Sequence, residues 1–128
     1  MSYSDINLWN TLIVNENDDL RNLPLASGLY AVMKDDTVVY IGRSVKLRTR
    51  WWIRNLRIKP KEDEFMCFEE RLSQGGLGVW QYHKMLEYLL EKDGYYLKWI
   101  ECPREDIVIE EYLLIRKYRP EKNVHWKN

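Results

Sequence analysis

The feature that most constrains this chain is a helix predicted over residues 106–118, because it directs a carboxylate at its own apolar face. At about 100° per residue, Glu111 falls near the middle of a face lined by large apolar side chains. Those side chains belong to Ile107, Val108, Leu114, Ile115 and Tyr118. A carboxylate in that position is costly unless a cation, a metal ion or hydrogen bonds meet it. Glu111 is therefore either half of a structural ion pair or a working ligand.

The remaining elements are short and of mixed type. We predict a leading helix at residues 5–14, strands at 28–33, 37–41 and 95–100, and helices at 44–56 and 79–91. The first two strands form a hairpin, since residues 34–36 are turn-like, and Ser44 is a suitable N-cap for the helix that follows. Three strands interleaved with helices are typical of a small α+β domain.

Length and composition favour one intracellular domain over residues 1–128. No apolar run is long enough to span a bilayer, and the polar N-terminus is no signal peptide, so we expect no membrane partner. Cys67 and Cys102 are too few for a disulfide framework. We expect two free thiols in a reducing cytoplasm.

The charge distribution is uneven although the net charge is zero. Eight basic residues and no acidic residue lie between Thr37 and Lys61. An α-helix would collect five of them into one basic stripe, formed by Lys46, Arg50, Arg54, Arg57 and Lys61. A run of charged residues is usually just a solvent-exposed helix face, but such faces normally mix acidic and basic residues. We therefore favour an anionic partner, of which nucleic-acid phosphate is the commonest.

Tyr30 and Tyr40 lie ten residues apart across the predicted hairpin. An odd loop centred on Asp35 would place them directly opposite each other on one face of the sheet. A two-residue loop would place them on opposite faces. The sequence leaves both arrangements open, and by themselves the two residues are ordinary strand aromatics.

Four stretches of the chain together resemble the GIY-YIG nuclease family: GLY at 28–30, VYIG at 39–42, RSVKLRTR at 43–50 and EYLLIRKYRPEKN at 111–123. The key positions of the family map onto Tyr30, Tyr40, Arg50, Glu111 and Asn123. The resemblance implies a stand-alone catalytic module with a small three-stranded antiparallel sheet flanked by helices. Residues 1–24 would then be an N-terminal extension and residues 57–78 an insertion.

The resemblance also implies roles for those residues in hydrolysis of a phosphodiester. Glu111 would hold one divalent cation, Mg²⁺ or Mn²⁺, completed by waters and a phosphate oxygen. Arg50 would bind the scissile phosphate. Tyr30 is the candidate for activating water, with Tyr40 positioning or sharing the proton. Asn123 would orient the end of the Glu111 helix or a bound group.

The basic residues extend this hypothesis to the substrate. Arg43 would supply a cation beside the phenols, while Lys46, Arg54 and Arg57 would follow the nucleic-acid backbone without reading its sequence. We therefore expect a metal-dependent DNA endonuclease that either cuts with little sequence preference or acts as a homo-oligomer. A dimer or tetramer would supply the two active sites needed to cut both strands at once.

Two alternatives compete with the enzyme hypothesis. The first is a catalytically inactive module of the same fold that binds nucleic acid. The second is a structural ion pair between Glu111 and Arg50 in an unrelated fold, which leaves the basic stripe and the tyrosines unexplained.

Overall fold

Four antiparallel strands form a single sheet in this computed structural model, which describes residues 3–53 and 82–123. The strands and α-helices are β1 (Asn10–Leu12), β2 (Gly28–Lys34), β3 (Thr37–Ser44), α1 (Tyr82–Glu91), β4 (Tyr95–Glu101) and α2 (Ile107–Tyr118). The spatial order of the strands is β1-β4-β2-β3, so β2 lies in the interior and β3 forms one edge. The α+β class predicted from the sequence is confirmed.

The prediction of three strands is wrong, because the leading segment contributes a fourth. Residues 5–14 do not form a helix: a 3-10 turn at Ile6–Leu8 is followed by β1, which pairs antiparallel with β4. The turn is capped by the Asp5 side chain, but a helix this short gains little on its own. Pairing along β4 satisfies the backbone of the following residues instead, which local sequence could not indicate.

The two faces of the sheet carry different cores. Alternation along β2 directs one set of side chains towards α2 and the other towards α1 and a π-helical turn at Thr49–Ile53. The α2 face includes Leu29, Ala31, Met33 and Ile41. The opposite face, which we call the tyrosine face, includes Tyr30, Val32, Tyr40 and Trp51. Because β2 is covered on both sides, six of its seven residues are buried.

Helix α2 follows its predicted limits and most of its predicted burial. It begins after Asp106 and ends at Tyr118, and the next residue, Arg119, caps it in a left-handed conformation (φ 45°) just before Pro120. Of the predicted inner face, Ile107, Leu114 and Ile115 are buried. Val108 was expected on the same face, but it is exposed, since it lies one helical step beyond Ile107 on the flank that turns to solvent.

The helix predicted at 44–56 is shorter and less regular within the described residues. Ser44 is the last residue of β3, and its hydroxyl accepts a hydrogen bond from the Lys46 backbone N–H at 3.1 Å, as an N-cap would. Helical structure then passes into the π-helical turn, which alters the four-residue spacing on which the basic stripe depends. Arg54, Arg57 and the predicted insertion at 57–78 lie outside the described residues. None of the helices described in residues 3–53 and 82–123 has the length and hydropathy needed to traverse a lipid bilayer.

Candidate active site

Tyr30 and Tyr40 lie diagonally on one face of the sheet, with ring centroids 6.3 Å apart. The hairpin loop has two residues, which alone would put the phenols on opposite faces. A β-bulge at Val39 adds one residue to β3 and restores the common face. Tyr40 consequently pairs with Val32, and Tyr30 pairs with Gly42. Neither arrangement considered from the sequence is the one observed.

The Tyr30 ring extends across the edge strand over Gly42. A side chain built on Gly42 would overlap the Cζ and Oη atoms of Tyr30, so only glycine leaves room for this ring. The ring meets Trp51 edge-on, with centroids 5.1 Å apart. Tyr30 and Tyr40 are 3% and 5% exposed. The Tyr30 hydroxyl therefore lies over the last part of β3, one residue before Arg43.

Glu111 reaches the same strand from the other side of the sheet. Its helix packs on the α2 face, and its Oε1 accepts a hydrogen bond from Nη1 of Arg43 at 2.5 Å. The Glu111 side chain is 16% exposed, whereas that of Arg43 is 44% exposed. The cation that the sequence required for this inward carboxylate is thus Arg43. Within the described part of the chain, no ion pair joins Glu111 to Arg50, so the alternative hypothesis named the wrong partner.

The basic residues of this region divide between structure and solvent. Arg50 lies in the π-helical turn next to Trp51 and is half-buried. Lys46 is exposed and accessible to an anion, whereas Arg43, whose side chain is 44% exposed, is paired with Glu111. Arg48 instead donates from Nε to the Leu23 carbonyl at 2.7 Å. The Arg48 guanidinium therefore stabilises the fold through the backbone near Leu23, a role that the sequence pattern did not indicate.

Asn123 closes the open edge of the sheet. Its Oδ1 accepts from the Ile41 N–H at 2.8 Å, and its Nδ2 donates to the Ile41 carbonyl at 2.9 Å. The preceding Lys122 N–H bonds the Val39 carbonyl at 3.1 Å, so the chain after α2 runs beside β3 as an added strand would. Asn123 is fully buried. We therefore treat it as a positioning residue that holds α2 to β3, rather than as a group that touches substrate.

The predicted residues are brought together in two groups. Tyr30, Tyr40 and Arg50 belong to the tyrosine face and its π-helical turn, while Glu111 comes from the α2 face. The Tyr30 hydroxyl lies over Gly42 of β3, and the next residue of that strand, Arg43, holds Glu111.

The donors at this edge suit one type of metal ion. No cluster of three or more Asp, Glu, His or Cys side chains occurs in the described residues. Mg²⁺ is commonly held by one or two carboxylates, keeping several waters and taking phosphate oxygens. A single half-buried carboxylate fits that mode. Arg43 now occupies one Glu111 oxygen, so a bound cation would compete with this guanidinium.

Gly42 and Trp51 are the structural residues of the site that sequence reasoning overlooked. A glycine inside a strand often marks a close approach of another group, and the VYIG stretch contained that signal. Trp51 is fully buried. Its contact with Tyr30 depends on tertiary packing and had no counterpart in the sequence.

Comparison with known proteins identifies the fold. No protein-family model matches the sequence, and a search of curated proteins finds no match. Among solved structures, the chain is similar to the GIY-YIG N-terminal endonuclease domain of UvrC from Thermotoga maritima bound to magnesium, its catalytic divalent cation (TM-score 0.51, 20% identity, covering 83% of this chain and 92% of that one). A point mutant of that domain, also bound to the catalytic cation, gives a TM-score of 0.52 at 20% identity, covering 83% and 91% of the two chains. The chain is therefore a GIY-YIG-like module in its fold.

Proposed function

We propose that this chain with the GIY-YIG fold is a divalent-metal-dependent endonuclease that hydrolyses DNA phosphodiester bonds with little sequence preference. The observation that carries the proposal is the half-buried Glu111 carboxylate, held against the edge of β3 beside the strand position covered by the Tyr30 hydroxyl. The similar UvrC domains bind a catalytic divalent cation, which supports a metal at the corresponding site. A single cytoplasmic domain over residues 1–128 is part of the proposal.

The residues divide the work of hydrolysis. Glu111 would hold Mg²⁺ or Mn²⁺, which when bound supplies positive charge to the phosphate and to the leaving oxygen. Arg50 would bind the scissile phosphate and offset the charge that develops on it. As the bond from water oxygen to phosphorus forms and the bond to the leaving oxygen breaks, the water proton would pass to Tyr30 Oη in its phenolate form, and a solvent water would protonate the leaving oxygen. Tyr40, 6.3 Å away between ring centroids, would orient that hydroxyl.

The basic side chains account for affinity in this proposal. Lys46 is exposed, and Arg43 would become available to a phosphate once its carboxylate partner is engaged elsewhere. Contacts of this kind release counterions, so binding should weaken steeply as salt increases. They position the backbone without reading bases, which agrees with little sequence preference. Arg54 and Arg57 are proposed to extend the same surface.

The test is nicking of supercoiled plasmid with Mg²⁺, with Mn²⁺ and with chelator. We expect cleavage only with metal, and loss of cleavage in Glu111→Gln, which removes the charge while preserving shape. Glu110→Gln is the matched control, because Glu110 is the neighbouring half-buried acid on the same helix. Cleavage that persists in Glu111→Gln, or that is lost equally in Glu110→Gln, would contradict the assigned role. If the folded protein nicks the plasmid with neither Mg²⁺ nor Mn²⁺, the proposed endonuclease activity is refuted.

The second candidate is a binding module that has the fold without the chemistry. The Arg43–Glu111 ion pair favours it, since a carboxylate already neutralised by an arginine needs no metal. This candidate predicts a mobility shift with DNA and no strand scission. It also predicts that Glu111→Gln leaves binding of Mn²⁺ unchanged, because none occurs at that carboxylate. Calorimetric titration of Mn²⁺ into the two proteins separates the candidates without any cleavage assay.

A further inference from the structure

The outer face of α2 carries an apolar surface that the fold leaves exposed. Four large side chains on this face, those of Val108, Ile109, Tyr112 and Leu113, are between 51% and 58% exposed. They recur at the spacing of successive helical turns and so form one continuous patch, which we call the α2 patch. The patch lies across the helix from the buried Ile107, Leu114 and Ile115.

A helix that is apolar on two opposite faces is normally covered on both. The sheet covers only the inner face of α2. The other large exposed apolar residues of the described chain are Leu8, Ile13, Leu25, Val45 and Leu90. They are separated in sequence, and isolated residues of that kind are common on surfaces. The α2 patch differs because its members adjoin one another, which is the usual mark of an interaction site.

The ends of the patch carry opposite charges. Glu105, in the turn that leads into α2, is exposed at one end, and Arg116 is exposed at the other. Along the chain, an acidic residue is therefore followed by two apolar pairs, at 108–109 and 112–113, and then by a basic residue. The separations between Glu105, Val108 and Ile109 are repeated in reverse by Arg116, Leu113 and Tyr112. Such a pattern is complementary to itself when two copies are placed antiparallel.

We propose that α2 is the interface of a homodimer in which two α2 helices pack antiparallel about a two-fold axis. Each Glu105 would then face Arg116 of the partner subunit, and each Ile109 would face Tyr112 of the partner subunit. A two-fold axis requires this kind of self-complementary surface, which identifies a second copy as the occupant. Glu111 lies on the other side of the helix, so the interface leaves both candidate active sites uncovered. The proposal does not depend on the enzyme being active.

The size of the surface predicts how the dimer behaves. One helix face from each copy is small compared with the interfaces of obligate dimers, so the dimer should dissociate on dilution. The monomer mass is 15.6 kDa, and light scattering or sedimentation velocity on the full chain distinguishes one copy from two. We expect mass to increase towards the dimer as concentration is raised to about 200 µM, the range appropriate to a weak interface.

The apolar contact is tested by Ile109→Lys, which should give a monomer throughout that range because it buries an unpaired charge. Ile13→Lys is the matched control, since Ile13 is 62% exposed but lies away from α2, and it should dimerise as the unmodified chain does. Circular dichroism confirms that both variants are folded. An unmodified chain that stays monomeric, or an Ile109→Lys variant that still dimerises, would overturn the proposal.

The antiparallel register is tested by charge reversal. Glu105→Arg alone and Arg116→Glu alone each place like charges opposite one another twice per dimer, so each should weaken the dimer by about tenfold. The double variant restores two opposite-charge pairs and should recover the original dissociation constant. Single reversals that are neutral, or a double variant weaker than both, would refute the register and with it the proposed interface.

Discussion

Replacing Asn123 by alanine should cost stability first and affect cleavage only as a consequence. The amide of Asn123 makes two hydrogen bonds to the backbone of Ile41, at 2.8 and 2.9 Å, and both residues are fully buried. Alanine would leave the Ile41 N–H and carbonyl without partners. A buried polar group left unpaired costs about 1–3 kcal/mol. Since water can reach part of an edge strand, we expect a total of about 2–4 kcal/mol for the two groups.

This loss corresponds to a large change in melting temperature. With 128 residues and about 2.1 cal/mol/K per residue, the unfolding entropy is about 270 cal/mol/K near the midpoint. A loss of 3 kcal/mol then lowers the melting temperature by about 11 °C. Urea titration and thermal melting followed by circular dichroism give the two quantities independently. Asn22→Ala, at an exposed asparagine, is the control and should change the free energy of unfolding by less than about 0.5 kcal/mol.

The same variant separates a positioning role from a catalytic one. If Asn123 acts through the packing of α2 on β3, any loss of cleavage should follow the loss of folded protein and diminish at low temperature. A variant that melts within about 2 °C of the unmodified chain, yet cuts no DNA, would refute our reasoning and place the amide in contact with substrate.

Three further predictions concern the edge of β3 and the buried thiol. Gly42→Ala should destabilise the fold by about 1–3 kcal/mol and abolish cleavage, because its methyl group displaces the Tyr30 ring; urea titration and plasmid nicking measure the two effects. Arg43→Gln should tighten Mn²⁺ binding at Glu111 about three- to tenfold in calorimetry, since it removes a partly exposed competitor, and weaker binding would show that Arg43 assists the metal. Burial raises the pKa of the Cys102 thiol above its ordinary value of 9.0, so this thiol ionises at a lower pH in the unfolded chain than in the folded one. The stability contributed by burying the neutral thiol is therefore complete below pH 9.0 and is lost as pH rises through the folded-state pKa. Between pH 8 and about pH 10.5, the urea midpoint should decrease more for the unmodified chain than for Cys102→Ala.

Local pattern was sufficient for much of this molecule. The strand beginning at Gly28, the helix ending before Pro120 and the inward direction of Glu111 all follow from periodicity and from where proline and glycine stand. The resemblance of the GLY, VYIG and RSVKLRTR stretches to the GIY-YIG family pointed to the fold. These properties depend on residues close together in the chain, so a sequence alone can express them.

Contacts between distant segments were beyond the reach of that pattern. The β-bulge at Val39 decides that Tyr30 and Tyr40 share a face, and it arises from the pairing of whole strands rather than from the turn between them. Likewise β1 forms because β4 offers an unpaired edge, not because residues 10–12 prefer to be extended.

The partner of Glu111 is the sharpest case. The helix pattern required a cation, a metal ion or hydrogen bonds to meet this carboxylate, and the chain offered several arginines within one short segment. Only the placement of α2 across the edge of β3 selects Arg43, while Arg50 lies in the π-helical turn next to the buried Trp51. Periodicity specifies which way a side chain points within its own element. Strand register and helix packing specify what it meets there, since they join residues 68 positions apart.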